Sequence, residues 1–156
     1  MLDRSEKLTS AGGVIYRRTD GKIQVVICGR IKASLWALPK GTPDDYETRT
    51  ETAIREVREE TGLEVVVEIF IDSIHYSFTR KGTNKNYQKE VFFYLMRQVG
   101  GDFSRHDEEF DIVKWINEKD VASTLTYHNE VDIVQKGLSL VKIRRKRTPQ
   151  SRDFRR

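Results

Sequence analysis

Two β-rich runs open the chain, Thr9 to Arg17 (TSAGGVIYR) and Lys22 to Arg30 (KIQVVICGR). The link between them, Arg18-Thr19-Asp20-Gly21, carries an Asp-Gly pair, the composition of a tight hairpin turn. Ile31 to Gly41 is broken by Pro39 and Gly41 and reads as a loop or a short strand entering one. Pro43 to Glu47 is acidic and turn-like, after which Thr48 to Thr61 takes helical periodicity and Gly62 stands where a helix often ends in glycine. Leu63 to Phe70 and Asp72 to Arg80 are strand-like, residues 81–86 form a polar loop, and Gln88 to Gln98 is a strongly apolar strand. Phe110 to Ile116 reads as a further strand. Lys119 to Thr124 and about Asn129 to Val141 read as helices, the second with Val131, Val134, Leu138 and Val141 at helical spacing.

Helices interleaved with strands and hairpins predict an α/β chain built on a mixed sheet with helices on both faces. At 156 residues there is enough chain for one domain to bury its own core. No apolar run approaches the ~20 residues that cross a bilayer, and the first residues, MLDRSEK, lack the apolar stretch of a signal peptide. The lone Cys28 has no internal disulfide partner and lies in the apolar run Val25-Val26-Ile27, so a buried structural thiol and a cytoplasmic location are expected.

The net charge of +4 changes meaning once divided. Residues 142–156 hold eight Lys/Arg and one Asp, a net +7, which leaves −3 for residues 1–141. A mildly acidic domain at 1–141 followed by a flexible basic tail at 142–156 is the expected organisation. The tail invites RNA as a partner, with simple solubility as the blander role.

The segment Gly41 to Leu63, GTPDDYETRTETAIREVREETGL, carries the chemistry. On a helix Glu56, Glu59 and Glu60 stand at i, i+3 and i+4 and share one narrow arc, while Ala53, Ile54, Val57 and Thr61 gather beside it as a packing face. The carboxylates are therefore expected at the margin of the buried face. Three like charges there repel, and a hard divalent cation, Mg²⁺ or Mn²⁺, would reverse the sign; there is no His/Cys set that would favour zinc. The alternative is a solvated acidic face paired with Arg55 and Arg58.

The spacing of this segment resembles the Nudix box, Gly-x5-Glu-x7-Arg-Glu-apolar-x-Glu-Glu-x-Gly-apolar, at Gly41, Glu47, Arg55, Glu56, Val57, Glu59, Glu60, Gly62 and Leu63. The likeness extends to Ala11-Gly12-Gly13-Val14, Trp36-Ala37-Leu38-Pro39-Lys40 and Lys114-Trp115. It implies the Nudix fold, an α/β/α sandwich, and metal-dependent hydrolysis of a phosphoanhydride in a nucleotide substrate. It further implies that Glu56, Glu59 and Glu60, with the Gly41 carbonyl, hold the metal. Arg55 would orient a glutamate, Glu47 would support the loop, and Lys40 would meet substrate phosphate. Either Glu56 or Glu109 would accept the proton of the attacking water, although Glu108 and Glu109 also fit a solvated loop. One position departs from the family habit: Tyr46 stands where glycine usually precedes the glutamate, and it could reach toward a bound base.

Within the superfamily the chain looks most like the diadenosine-polyphosphate hydrolases, in which an aromatic residue beyond the box stacks on adenine. Tyr76 and Phe78 are the nearest candidates, with core packing as the competing role for the face they share, and His75 is expected on the other face. Arg80, Lys85 and Lys89 around the 81–89 loop could contact the phosphate chain, with solubility as the commoner role of such loop charges. Arg30 and Lys32, which precede the active-site loop, carry the same two readings from a better position. Oxidised-nucleotide or RNA 5′-end pyrophosphohydrolysis, and a non-catalytic nucleotide-binding module, are the rival functions. Oligomeric state is left open.

Overall fold

The computed structural model describes residues 5–147. A seven-stranded mixed sheet is its frame, with strands β1 (Glu6–Thr19), β2 (Lys22–Arg30), β3 (Leu35–Ala37), β4 (Lys40–Gly41), β5 (Leu63–Thr79), β6 (Asn86–Gly101) and β7 (Ile112–Asn117). The central order is β3-β2-β1-β6-β5, while β4 pairs with β1 and β7 with β2. Only β1 and β6 run parallel, in register from Glu6 with Tyr87 to Tyr16 with Arg97. The predicted hairpin is β1–β2, turning at Asp20 and Gly21, both of which have positive φ.

Helix α1 (Arg49–Thr61) packs on one face of the sheet and α3 (His128–Arg147) on the other, with the short α2 (Val121–Thr124) beside α3. Two cores result. Ala53 and Val57 of α1 pack with Ala11, Ile15, Val26, Phe92 and Met96, whereas Val131, Val134, Leu138 and Val141 of α3 pack with Val14, Val25, Phe93 and Leu95. The period-two alternation of β1 and β6 is what feeds both layers, successive side chains going to opposite faces. Cys28 is fully buried in the second half of β2.

Several boundaries differ from the sequence reading. The two strands expected at 63–70 and 72–80 are one long strand, β5, with register shifts between Glu64 and Val65, Val67 and Ile69, and Phe70 and Asp72. Bulges of this kind reset the alternation locally, so the strand reads as two from its hydrophobic pattern. The helix expected over 119–124 divides into a 3₁₀ turn at Glu118–Asp120 and the single turn α2. Helix α3 runs through Arg147 and so takes in the first six residues of the basic segment 142–156. Its last turns are tied down by ion pairs from Lys142 to Glu118 and from Arg144 to Glu68 (2.6 Å), partners that are remote in sequence and invisible to periodicity. The rest of the expected tail, 148–156, lies outside the described residues. Among the described residues no helix is long and apolar enough to cross a membrane.

Candidate active site

Helix α1 begins and ends by local chemistry. Thr48 caps its N-terminus in a capping box with Glu51: the Thr48 hydroxyl accepts from the Glu51 N–H at 3.2 Å and the Glu51 carboxylate accepts from the Thr48 N–H at 3.3 Å. Gly62 ends it with φ of 79°, its N–H donating to Arg58 O at 2.8 Å. A side chain there would be strained twice over, since a Cβ would stand 2.2 Å from the Asp102 carbonyl oxygen. These caps fix the rotation of α1 and therefore where its three box glutamates emerge.

The three do not share one environment. Glu60 is buried at 2% exposure, contrary to its expected place at the margin, and its Oε2 accepts the backbone N–H of Lys40 at 2.9 Å. Burial pushes its carboxyl up to about 9, with Glu109 and Glu56 adding to the rise and the Lys40 N–H opposing it. Glu56 is mostly buried and also raised, first by burial, against the lowering effect of Arg55. Glu59 is half-exposed. Rotation of the helix by 100° per residue explains the split, because Glu60 lies one turn beyond Glu56 on the side that faces the sheet while Glu59 turns outward.

Arg55 is the hub of this segment. Its Nε donates to Glu47 at 2.7 Å, Nη1 to Glu56 (3.1 Å) and Glu59 (3.1 Å), and Nη2 to the Thr42 carbonyl (2.8 Å), with Asp44 3.2 Å away. Glu47 in turn accepts from the Asp44 N–H at 2.8 Å and the Thr52 hydroxyl at 3.0 Å, and its bonds, led by that from Arg55, hold its carboxyl down at about 2. The loop 42–47 is thus clamped to α1 through one guanidinium. Arg58, the other suggested partner of the acidic arc, is exposed and makes no ion pair among those of the described residues.

Gly41 lies directly under Glu56: a Cβ there would stand 2.0 Å from the Glu56 carboxyl carbon, so only glycine lets the carboxylate approach the β4 backbone. Among the described residues no three His, Cys, Asp or Glu side chains converge on a single ion position. The donor set nevertheless fits a hard divalent cation. Glu60 is a buried carboxylate with no cationic side chain within ion-pair distance among the described residues, and Mg²⁺ commonly rests on one or two carboxylates, completing its shell with water and substrate phosphate.

The loop after β6 brings Glu109 into the same neighbourhood, since its charge raises both Glu56 and Glu60. The Asp107 N–H donates to Glu59 O at 2.8 Å, joining this loop to the turn of α1 that carries the carboxylates.

Beside Lys40 opens a cavity of about 350 Å³ lined by Lys40, Ile74, Tyr76, Tyr127, Asn129 and Glu130. Tyr76 belongs to this cavity and is 38% exposed, so core packing does not describe it. Phe78 does not line it; the ring stacks on Tyr87 at 5.2 Å and 15°. His75 is exposed on the other face, paired with Glu90 at 3.1 Å. Tyr46 points into solvent at 104% exposure, with φ of 67°, the left-handed conformation that glycine takes without strain. Sequence reasoning missed Tyr127, Asn129 and Glu130, which precede or open α3 without any apolar rhythm. It set Lys89 aside as a loop charge, yet Lys89 pairs in register with Tyr76 and is held below the usual lysine range, first by burial and then by Lys40.

The NUDIX domain family matches residues 7–136. A relative named putative mutator protein MutT4, from Mycobacterium tuberculosis, is 38% identical over 128 residues, covering 78% of this chain and 51% of its own length. An RNA pyrophosphohydrolase of Xanthomonas axonopodis is 32% identical over 121 residues, covering 67% and 57%. The chain thus spans about half the length of the curated relatives it matches. Among solved structures, a C. elegans Ap4A hydrolase binary complex superposes with a TM-score of 0.66 at 21% identity, covering 86% of this chain and 98% of that one. The NUDIX domain of Shewanella oneidensis NrtR, crystallised with ADP ribose, superposes at 0.63 and 16% identity, covering 88% and 90%. The family match over most of the chain, together with the α1 carboxylates, the Arg55 hub and the Gly41 cradle that its box positions build, makes this chain a member of the NUDIX family.

Proposed function

We propose that the protein hydrolyses a phosphoanhydride bond in a nucleoside-diphosphate-linked compound, a diadenosine polyphosphate being the substrate class that its site suits best. The observation that carries this reading is the position of Lys40. Its backbone N–H is bound to Glu60, and its side chain lines the aromatic cavity of Tyr76 and Tyr127. Carboxylates for a metal, a cation for phosphate and two rings for a base therefore lie in sequence along one path. Lys89 adds a second cation beside Tyr76, and the ion pairs of the described residues include neither lysine.

In this reading Glu56, Glu59 and Glu60, with the Gly41 carbonyl, would hold Mg²⁺ or Mn²⁺, which would supply charge neutralisation at the phosphates and make water more acidic. Arg55 orients Glu56 and Glu59 through charge-assisted bonds. Water oxygen attacks phosphorus, the bridging P–O bond breaks with its electron pair on the departing phosphate, and the water proton passes to the carboxylate of Glu56 or Glu109. Tyr76 and Tyr127 hold the base by stacking.

A second reading, removal of pyrophosphate from RNA 5′ ends, is favoured by one separate observation. An open groove of about 730 Å³ at the other end of α3 is lined by Arg18, Lys22, Lys119 and Lys142, with Glu118. The named activity of the Xanthomonas relative is of this kind. A phosphate backbone there would give strongly salt-dependent affinity. The Mycobacterium relative's name, a mutator protein, keeps oxidised nucleotides among the alternatives.

The test is a Mg²⁺-dependent hydrolysis panel of diadenosine tetra- to hexaphosphate, ADP-ribose, oxidised dGTP and 5′-triphosphorylated RNA, with products identified by mass. Preference for the dinucleotides with ATP among the products supports the first reading. Preference for RNA, lost at high salt or on deleting 142–156, replaces it with the second. No turnover of any of them with Mg²⁺ or Mn²⁺ overturns both.

A further inference from the structure

Arg30 is exposed and ends β2, ahead of the box that begins at Gly41. Its side chain is nevertheless committed to a single short segment. Nε donates to the Glu109 carbonyl at 3.0 Å, Nη2 donates to Glu109 Oε1 at 3.1 Å, and the guanidinium lies 5.0 Å from the centre of the buried Phe110 ring. The same strand end binds the next residue: Asp111 N–H donates to Gly29 O at 2.9 Å, and Ile31 N–H donates to Asp111 Oδ2 at 2.8 Å. At the opposite end of the loop, Asp107 N–H is fixed to Glu59 O, and Asp107 Oδ1 accepts the Glu109 N–H at 3.1 Å. Glu109 is therefore suspended between α1 and the end of β2, with its backbone held from both sides. Arg30 makes the only hydrogen bond to its carboxylate among the described residues.

We propose that Arg30 is the positioning residue for Glu109, holding that carboxylate at the rim of the Glu56–Glu60 site so that it can receive the proton of the attacking water. This rests on the hydrolytic reading above and selects Glu109 over Glu56 as the proton acceptor. A planar fork suits the task because it grips a carbonyl and a carboxylate oxygen of one residue at once, fixing both backbone and side chain. An ammonium has no such fork. Arg30 acts on the reaction through Glu109, so its contribution should disappear when Glu109 can no longer take a proton.

The experiment compares Arg30→Ala, Arg30→Lys, Glu109→Gln and the double variant Arg30→Ala/Glu109→Gln with the unaltered protein. It uses Mg²⁺ and the fastest substrate of the panel, alongside amide hydrogen exchange and thermal unfolding. Arg30→Ala should lower kcat about tenfold with less than about a twofold change in KM, as expected when a reacting group loses its place while substrate binding is kept. Arg30→Lys should recover only part of that loss. In the Glu109→Gln background the Arg30→Ala change should alter kcat by less than about twofold. Exchange at Asp107 to Asp111 should quicken in Arg30→Ala while exchange in α1 stays unchanged. An undiminished kcat in Arg30→Ala, with Glu109→Gln impaired, overturns the positioning role alone. So does an equal loss in both backgrounds, which would mean that Arg30 acts on something other than Glu109. A Glu109→Gln protein with normal turnover overturns the inference together with the choice of Glu109 as proton acceptor, while leaving hydrolysis itself standing.

Discussion

The backbone N–H of Leu38 donates to the buried Oε1 of Glu130 at 2.8 Å, tying the segment that leads to Lys40 and Gly41 to the first turn of α3. Two further bonds reinforce the joint, Trp36 N–H to the Thr126 hydroxyl at 2.8 Å and Thr126 N–H to Trp36 O at 3.0 Å. The wall of the cavity lined by Tyr76 and Tyr127 and the strand that carries Lys40 are thereby one unit. Burial raises the Glu130 carboxyl above its ordinary 4.5, against the lowering effects of the Leu38 N–H and Lys40.

The sign of that shift gives a stability prediction. The folded state holds the Glu130 proton to higher pH than the unfolded chain, so its stabilising contribution is complete below about 4.5 and is lost as pH rises through the folded value. Glu130→Gln, which keeps an acceptor for Leu38, should lack this loss. Its unfolding temperature relative to the unaltered protein should rise as pH is raised from 4.5. A constant difference across that range would refute the assignment.

Glu60 offers a test of the metal site. Gln retains the acceptor for Lys40 N–H and removes a buried charge, so Glu60→Gln should unfold at the same or a higher temperature while turnover falls by at least ~100-fold. Near-normal turnover in the folded variant would remove Glu60 from the proposed metal site.

Arg55 joins Asp44, Glu47, Glu56, Glu59 and the Thr42 carbonyl through one mostly buried guanidinium. Arg55→Ala leaves those acceptors facing one another and should cost about 3 kcal/mol of stability. Arg55→Lys should restore less than half of this, because an ammonium lacks the fork that spans loop and helix. Denaturant unfolding of the two variants measures both quantities.

If Tyr76 and Tyr127 clamp a base, alanine at either position should raise KM by roughly five- to hundredfold, the range of ~1–3 kcal/mol for base–aromatic stacking. Hydrolysis of inorganic tripolyphosphate, which has no base, should not respond. Equal effects on both substrates would mean that the rings only support the fold.

Tyr46 stands in the left-handed region with its side chain in solvent. Tyr46→Gly should relieve that conformation and stabilise the protein by roughly 0.5 kcal/mol, after the added backbone entropy of glycine is set against it. An accompanying rise in KM would show that the ring reaches substrate after all.

Sequence spacing alone determined α1 and its glycine stop at Gly62, the hairpin at Asp20-Gly21 and the apolar strand β6, because each depends on residues within a few positions of one another. It also singled out Gly41, Arg55, Glu56, Glu59 and Glu60 as a group. What it could not reach was the unequal burial of those glutamates, which depends on how α1 is rotated against a sheet built from distant strands. Tertiary structure likewise decided that Tyr76 opens into a cavity while Phe78 stacks on Tyr87, a distinction that period-two alternation cannot make for residues sharing one face. Tyr127, Glu130 and the grip of Arg30 on Glu109 were beyond sequence for the same reason. Their partners lie tens of residues away, and only the crossing of chain segments in the folded sheet sets those pairs within bonding distance.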